Sequence, residues 1–359
     1  MLTPDPRDDP GVSESGRGAG PVDRAAGKLG ADKYLPGTAL DEGMIGLHTN
    51  ESPFEPSQRA LDAIGEVLRG IRLYPDPSAT SLRKALANHH GVGVENVLVG
   101  AGGDGVLDAI FRSQVHSGDV VALTDPTYIV LRQLCRIYGA EPVSAPWPQF
   151  SSMKSQGATL TCVVNPNSPS GEWVPPEQLE GLLPDADGLL VIDEAYAPFA
   201  NDSMIPRLSA HPSWVVVRSF SKAYALAGLR IGYMIGAPDV VQEIALTQLP
   251  YPISSLALSA AEAALSDENH LARSVTHIRM ERTRLSDSLA SFGWDVGSSK
   301  GNFIWVKPPF GHAEVWRQRF WDNGVAVRMF PSIDRERLRI AISSAANSDA
   351  VIAIVAAAQ

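Results

Sequence analysis

From about Leu47 onward, short apolar segments alternate with segments that have the spacing of amphipathic helices. Helical spacing of apolar residues occurs at residues 106–116 and 175–183. Because strands that alternate with helices form parallel crossover units, we predict an α/β protein with a mainly parallel sheet flanked by helices. The predicted strands are residues 96–100, 120–123, 160–164, 189–193 and 214–219.

The pattern changes after about Tyr251, where a smaller α+β domain is predicted. Its expected elements are helices at 256–265 and 269–292, strands at 302–306, 325–328 and 338–342, a helix near 312–322 and a closing Ala-rich helix. We therefore expect a large domain at 46–252 and a small one at 253–359. Residues 31–45 are expected to join the small domain, and residues 1–30, rich in Gly, Pro, Asp and Ser, to form a disordered or loosely packed arm.

Bulk properties limit the partners that the chain can have. Its 359 residues suffice for two domains, and its net charge of -10 disfavours nucleic acid or an anionic membrane as the main partner. Two cysteines cannot build a disulfide framework and fit a reducing compartment. No apolar run reaches the length of a membrane span, and the first residues lack the apolar core of a signal peptide. A cytoplasmic enzyme is expected.

A glycine-rich turn follows the first predicted strand. Residues 100–105 (GAGGDG) match the G-x-G-x-x-G pattern, and Asp125 lies where a ribose-binding carboxylate would in an NAD-binding domain. The physical content of the motif is narrower, because glycines before a helix N-terminus let backbone N–H groups approach any anion. The motif alone leaves open a pyrophosphate, another phosphate or no ligand.

Lys222 carries the strongest functional signal. It follows the strand predicted at 214–219 and stands among small residues (SFSKA, residues 219–223). A lysine amine shielded from water has a lowered pKa and can condense with an aldehyde. Ser219, Ser221 and Arg230 are predicted to bind a phosphate group nearby.

The motif S-x-S-K-A-x-x-L-A-G-L-R at 219–230 resembles the lysine motif of class-II aminotransferases, above all of histidinol-phosphate aminotransferases. The similarity spans roughly residues 34–342. It implies the fold type I of enzymes that use pyridoxal 5'-phosphate (PLP). It also implies that Lys222 binds the cofactor as a Schiff base and then acts as general base and acid, while Arg230 binds the cofactor phosphate.

Two further motifs match the cofactor site of this family. In the sequence DEAY, Asp193 ends a predicted strand, and a carboxylate there would keep a pyridine nitrogen protonated. By resemblance, Asp193 is that partner and Tyr196 contacts the ring hydroxyl. Tyr128, in DPTY, resembles the aromatic residue that stacks on the cofactor. The glycine-rich turn is similar to the family's phosphate turn, with the corresponding residues Gly102, Gly103 and Asp104.

The sequence NPNSPSG at 165–171 resembles the family's N-P-N-N-P-T-G but departs from it. Relatives bind the ring oxygen through the Asn directly before P-T-G, and this chain has Ser168 there. Either Ser168 or Asn167 is expected to make that contact.

The substrate side carries several matches. Tyr34 (in YLPG) and Asn50 (in LHTNESP) resemble N-terminal substrate motifs of histidinol-phosphate aminotransferases. Tyr74 (in YPDP) resembles a tyrosine that reaches the cofactor phosphate of the neighbouring subunit, which implies a homodimer with a shared active site. Arg339 and Arg328 match the family's anion-binding arginines, and guanidinium groups suit carboxylates and phosphates.

The resemblance implies transfer of the amino group of L-histidinol phosphate to 2-oxoglutarate, with no metal. Three alternatives stay open: an aminotransferase for another amine, such as an aromatic or specialised-metabolism amino acid; a PLP-dependent phospho-amino-acid decarboxylase; and a non-catalytic PLP-binding regulator. A regulator would need a DNA-binding segment, and the first 45 residues are too short and acidic for one.

Overall fold

The computed structural model describes residue 37 and residues 39–147, 157–183 and 188–358. The strands of this part are β1 Ile45–Gly46, β2 Val97–Gly100, β3 Val120–Asp125, β4 Glu141–Pro146, β5 Leu160–Val164, β6 Leu189–Asp193, β7 Trp214–Ser219, β8 Gly232–Ile235, β9 Asp295–Val296, β10 Phe303–Lys307, β11 Val325–Ala326, β12 Arg328–Phe330 and β13 Asp334–Ala341. The α-helices are α1 Gln58–Val67, α2 Thr80–His90, α3 Gly102–Gln114, α4 Ile129–Tyr138, α5 Pro176–Leu182, α6 Ala197–Ala200, α7 Pro238–Ala245, α8 Ser255–Leu265, α9 Glu268–Ser291, α10 Ala313–Asp322 and α11 Ala345–Ala356.

A seven-stranded sheet forms the centre of the molecule, with the strand order β2-β8-β7-β6-β5-β3-β4. Strand β8 runs antiparallel to both of its neighbours, and the other pairings are parallel. Alternate side chains enter different hydrophobic cores: Val191 packs in one and Ile192 in the other. Such burial on both faces explains why β5, β6 and the first four residues of β7 appear in the sequence as mainly apolar runs.

Helices cover both faces of this sheet. Helix α3 packs on β2, β7 and β8, while α1 and α2 pack on α8. Several helices begin at side-chain caps: Ser57 accepts a hydrogen bond from Ala60 N, Ser254 from Ala257 N and Asp267 from His270 N. Each cap satisfies a backbone donor that the first helical turn leaves unpaired.

A second, antiparallel sheet has the strand order β12-β13-β10-β9. Strands β1 and β11 form a separate parallel pair, in which Ile45 lies opposite Val325. The segment before α1 is therefore joined to the C-terminal part of the chain. This arrangement brings residues near position 50 and residues near position 330 to the same edge of the large sheet.

The predicted fold class, a large mixed and mainly parallel sheet with a smaller α+β part, is confirmed. Strands β5, β6 and β7 have the predicted bounds. One expectation is wrong: residues 325–328 are not one strand, because Val325–Ala326 pairs with β1 and Arg328–Phe330 pairs with β13. The domain boundaries stay predictions, and the arm expected at residues 1–30 lies outside the described residues.

Candidate active site

A cavity of about 360 Å³ opens at the carboxyl ends of β3, β5, β6 and β7. Open α/β sheets bind their ligands at this edge. The N-terminal segment before α1 and strands β12 and β13 form its other walls. The lining residues are Thr49, Asn50, Glu51, Gly103, Asp104, Thr127, Tyr128, Ile129, Val164, Ser168, Pro169, Asp193, Ala195, Tyr196, Ser219, Ser221, Lys222, Ala227, Gly228, Arg230, Arg328, Phe330, Ile333 and Arg339.

The Lys222 amine lies within this cavity, just after β7. Its Nζ donates a hydrogen bond to the carbonyl oxygen of Thr49, at 3.1 Å. Burial lowers the pKa of Lys222 to about 8, and the positive charge of Arg339 acts in the same direction. A fraction of this amine is therefore uncharged near neutral pH, which is the form that attacks a carbonyl group.

Asp193 ends β6 on the cavity wall. Its Oδ1 accepts a hydrogen bond from the backbone N–H of Ala195, at 2.9 Å. Burial raises the pKa of Asp193 to about 7, and the carboxylates of Asp104 and Glu194 add to that effect. A cation next to Asp193 would stabilise its ionised form, so a protonated pyridine nitrogen suits this position.

One end of the cavity is built to bind an anion. Helix α3 begins at Gly102, and the backbone of Gly103 lies close to Ser219. Gly102 has φ +76°, and a Cβ atom there would lie 2.8 Å from the Arg230 guanidinium. A side chain at this position would therefore prevent the close approach of Arg230 to the backbone of Gly102. Arg230 also pairs with Asp104 at 3.0 Å and contacts the Ser221 hydroxyl at 3.3 Å. Helix N-terminus, guanidinium and hydroxyls together suit a phosphate.

Two tyrosines line the cavity, Tyr128 and Tyr196. The Tyr128 hydroxyl donates to Asp104 at 3.0 Å. The Tyr196 hydroxyl accepts a hydrogen bond from Asn50 Nδ2 at 3.1 Å, and its ring meets Phe303 edge-on at 5.1 Å. Burial raises the pKa of Tyr196, which keeps the phenol protonated.

Ser168 and Asn167 have different surroundings. Ser168 lines the cavity and hydrogen-bonds Tyr196. Asn167 is fully buried and is not part of the lining. Its amide group donates to the Pro126 carbonyl at 3.0 Å and to the Ser170 hydroxyl at 2.9 Å. Both N–H donors of Asn167 are thus engaged within the loop, and Ser168 presents its hydroxyl to the cavity.

Two arginines face the cavity from the smaller sheet. Arg328 and Arg339 lie opposite each other on β12 and β13. Arg339 is buried, donates to the His48 carbonyl at 2.9 Å and lies 4.9 Å from the centre of the Phe330 ring. Phe330 and the backbone contact hold this guanidinium in place, so the Arg328–Arg339 pair can receive an anion.

Three predicted site residues do not line the cavity: Gly102, Asn167 and Tyr74. Tyr74 is 80% exposed and stacks on Tyr251 at 4.5 Å. Tyr34 lies outside the described residues. Asp125, the acid of the NAD alternative, pairs with Arg132 at 3.1 Å and does not line the cavity. Arg337 makes an ion pair with Asp295.

Sequence reasoning missed several lining residues. Phe330 follows Arg328 by two positions in a strand, so the two-residue period could have placed both on one face. Thr49 and Thr127 lie within the motifs LHTNESP and DPTY. Ile333 lies in the turn between β12 and β13, where no sequence pattern marks it.

The residues present fit PLP. The Oγ1 of Thr127 and the Oδ1 of Asn50 are buried, line the cavity and have no protein partner. A polar ligand would satisfy such atoms. In the described part of the chain, no group of three or more His, Cys, Asp or Glu side chains is placed to hold a metal ion.

Comparisons with known proteins agree with this geometry. The family model for aminotransferase class I and II matches residues 42–358. The chain is 32% identical to histidinol-phosphate aminotransferase 1 of Nostoc sp., over 87% of this chain and 91% of that protein. It is 35% identical to the histidinol-phosphate aminotransferase of Rhodopirellula baltica, over 90% of this chain and 92% of that protein.

Solved structures show the same likeness. The histidinol-phosphate aminotransferase of Sinorhizobium meliloti in complex with PLP superposes with a TM-score of 0.81, at 27% identity, over 92% of this chain and 98% of that one. The L-threonine-O-3-phosphate decarboxylase of Porphyromonas gingivalis has a TM-score of 0.78 at 22% identity, over 88% of this chain and 99% of that one. The second likeness concerns the fold alone.

Proposed function

The chain belongs to the class I and II aminotransferases, and from that premise we propose that its amino donor is L-histidinol phosphate. It is a PLP-dependent transaminase. The proposed reaction converts L-histidinol phosphate and 2-oxoglutarate into imidazole acetol phosphate and L-glutamate. The observation that supports the choice of donor is the facing pair Arg328 and Arg339, which would form an anion site in the same cavity as Lys222.

We propose that PLP is held at both ends. The N-terminus of α3 at Gly102, Gly103 and Asp104, with Ser219, Ser221 and Arg230, would bind the phosphate. The ring would lie against Tyr128, with Asp193 at its nitrogen and Tyr196 and Ser168 at its hydroxyl group. When bound, PLP withdraws electrons from the donor carbon and so lets its C–H bond break.

Lys222 would move the proton. Its Nζ would take a proton from the donor carbon and return it to the other end of the conjugated system, as general base and then general acid. The lowered pKa supports the base role, because an amine that is partly neutral near pH 8 can accept a proton. Asp193 would stay ionised beside the pyridine nitrogen and keep that nitrogen protonated.

The donor would lie between the cofactor and β12–β13. We propose that Arg339 and Arg328 bind its phosphate, and that Asn50 and Tyr34 complete this side of the pocket. Phe330 and Ile333 provide apolar surface beside the two arginines. The acceptor 2-oxoglutarate also carries an anionic group, so one arginine pair can serve both halves of the reaction.

We further propose a homodimer in which Tyr74 reaches the partner's cofactor. Tyr74 stacks on Tyr251, both side chains are exposed, and Leu73, Leu246 and Leu249 are exposed apolar residues near them in the sequence. Exposed apolar patches of this kind mark contact surfaces.

We propose residues 46–252 and 253–359 as the two domains and the cytoplasm as the location of the protein. Within the described residues, no helix is long and apolar enough to cross a membrane.

The test is an absorption spectrum of the purified protein with PLP, before and after addition of L-histidinol phosphate, with the products identified. Loss of the band of lysine-bound PLP, a gain of the pyridoxamine phosphate band and release of a keto product would support the proposal. A PLP band that does not respond to this donor would reject it and lead to a panel of amino acids. Release of CO₂ from threonine phosphate would indicate the decarboxylase alternative instead.

A further inference from the structure

We propose that Glu194 and Arg218 are positioning residues. Their ion pair lies on the face of the large sheet opposite Asp193, and it holds the ends of β6 and β7 at the spacing that the bound cofactor needs. This inference rests on the roles proposed above for Asp193 and Lys222. Neither Glu194 nor Arg218 lines the cavity.

The register of the sheet places the pair directly behind the site. Asp193 is the cross-strand partner of Val217, and the Glu194 N–H donates to the Val217 carbonyl at 2.8 Å. Because side chains alternate along a strand, Glu194 and Arg218 point away from the face that carries Asp193 and Val217. Glu194 directly follows Asp193, and Arg218 directly precedes Ser219 of the phosphate site.

The Glu194 carboxylate is fully engaged. Arg218 Nε lies 2.9 Å from Glu194 Oε2, within ion-pair distance. Oε2 also accepts from the Ser203 hydroxyl at 2.7 Å, and Oε1 accepts from Met204 N–H at 2.6 Å. The Glu194 side chain is 2% exposed and that of Arg218 is 13% exposed. Water therefore screens this pair little.

An aromatic cluster extends from Arg218 towards the Lys222 loop. Arg218 lies opposite Tyr233 on β8, and Phe220 packs on Tyr233 and on Tyr224, two residues after Lys222. Tyr233 is hydrogen-bonded to His90 at 2.9 Å. Burial lowers the pKa of His90 to about 3, with the charge of Arg218 acting in the same direction, so His90 is neutral and adds no charge here.

Stability alone does not explain this arrangement. A buried ion pair contributes little net stability, because the desolvation of both charges offsets their attraction. We infer that the pair fixes the distance between two strand ends. Glu194 holds the end of β6 at Asp193, and Arg218 holds the end of β7, which leads to Lys222. The Glu194 charge also acts directly on the Asp193 carboxyl group. A change at the pair should therefore reach the cofactor.

The experiment uses the purified holoenzyme and three variants: Ser203→Ala, the double variant Glu194→Gln with Arg218→Met, and Arg218→Lys. For each we measure the Kd for PLP, the pH midpoint of the absorption of bound PLP, and the Tm. We expect the Kd to rise about threefold in Ser203→Ala and about tenfold in the double variant, with a displaced pH midpoint in both. The double variant should keep a Tm near that of wild type, because no lone charge stays buried. Arg218→Lys, which keeps the charge, should bind PLP more tightly than the double variant.

The matched control is Arg207→Met, which breaks an ion pair with Glu180 (2.9 Å) outside the cavity and should leave Kd and midpoint unchanged. A double variant with wild-type Kd and midpoint would overturn the proposal, whatever its Tm. If the double variant does not fold, Ser203→Ala decides by the same two readouts. Failure of the proposed cofactor site would look different, because wild-type protein would then show no band of bound PLP.

Discussion

Lys222 and Asp193 line one cavity and have pKa values displaced towards each other. Burial lowers the pKa of the Lys222 amine from its usual 10.5 to about 8 and raises that of the Asp193 carboxyl from its usual 3.8 to about 7. Between pH 7 and 8 both charged forms are therefore populated at a cost in free energy. A bound pyridine cation at Asp193 and a covalent bond at Lys222 would remove both costs, so cofactor binding and protein stability should be coupled.

The stability of the protein without PLP should depend on Asp193 between about pH 4 and 7. In this window the folded chain retains a proton on Asp193 that the unfolded chain releases, so the free energy of unfolding falls as the pH rises. The loss is at most about 4 kcal/mol. The Asp193→Asn variant should lack this dependence, which thermal unfolding from pH 4 to 8 would reveal. Asp62→Asn, at an exposed position of α1, is the control and should follow wild type. Parallel profiles for wild type and Asp193→Asn would mean that Asp193 titrates normally.

Replacement of Lys222 should abolish both covalent cofactor binding and proton transfer. We expect Lys222→Ala to lose the band of lysine-bound PLP and to lower kcat by about 10²-fold to 10⁴-fold or more. Lys307→Arg is the control, because Lys307 makes an exposed ion pair with Glu336 at 2.7 Å. Turnover by Lys222→Ala at the wild-type rate would require a different base.

The anion site can be tested with two arginines of one strand. Arg339 lines the cavity, whereas Arg337, two residues earlier on β13, does not line it and pairs with Asp295. Arg339→Lys keeps the charge but loses the planar pair of donors, so KM for L-histidinol phosphate should rise about 10-fold to 100-fold. Arg337→Lys should leave KM unchanged. Equal effects of the two substitutions would point to general charge attraction and against a specific contact.

The parts of the fold that sequence predicts are those buried on two sides. Strands β5 and β6 have the expected bounds because an entirely buried parallel strand is a mainly apolar run, and β7 is buried over its first four residues. Strand β4 gives no such signal, since it is the edge strand and contains Pro142 and Pro146. Strand β8 was not predicted from the sequence, because it is short and directly follows the lysine motif at 219–230.

The candidate site shows the same division. Lys222, Asp193 and Arg230 are found from the sequence because each lies in a contiguous motif at the end of a strand. Ile333 could not be assigned in this way, because its place depends on how the smaller sheet meets the large one. The contact between the two sheets joins segments that are far apart in the sequence, so no local residue spacing predicts it.

Ser168 and Asn167 should have separable effects. Ser168 faces the cavity, so Ser168→Ala should weaken PLP binding by about threefold to tenfold and displace the pH midpoint of its absorption. Asn167 binds Pro126 and Ser170 instead, so Asn167→Ala should lower the Tm and leave that midpoint near wild type. Binding and pH titrations of both variants, with Ser170→Ala as the control for loop stability, decide the matter. The reverse result would assign the ring contact to Asn167.

A shared active site predicts complementation between two defective variants. Tyr74→Ala should weaken PLP binding although Tyr74 lies outside the cavity of its own chain. In a dimer with shared sites, a hybrid of Tyr74→Ala and Lys222→Ala subunits contains one site with both defects and one intact site. Random exchange of subunits should therefore restore about a quarter of the wild-type activity. The matched variant is Tyr251→Ala, which removes the ring that Tyr74 stacks on. If the effect of Tyr251→Ala is exerted through Tyr74, this variant should complement Lys222→Ala to a similar level. Mixed activity equal to the average of the two variants alone would show that each site is built from one chain.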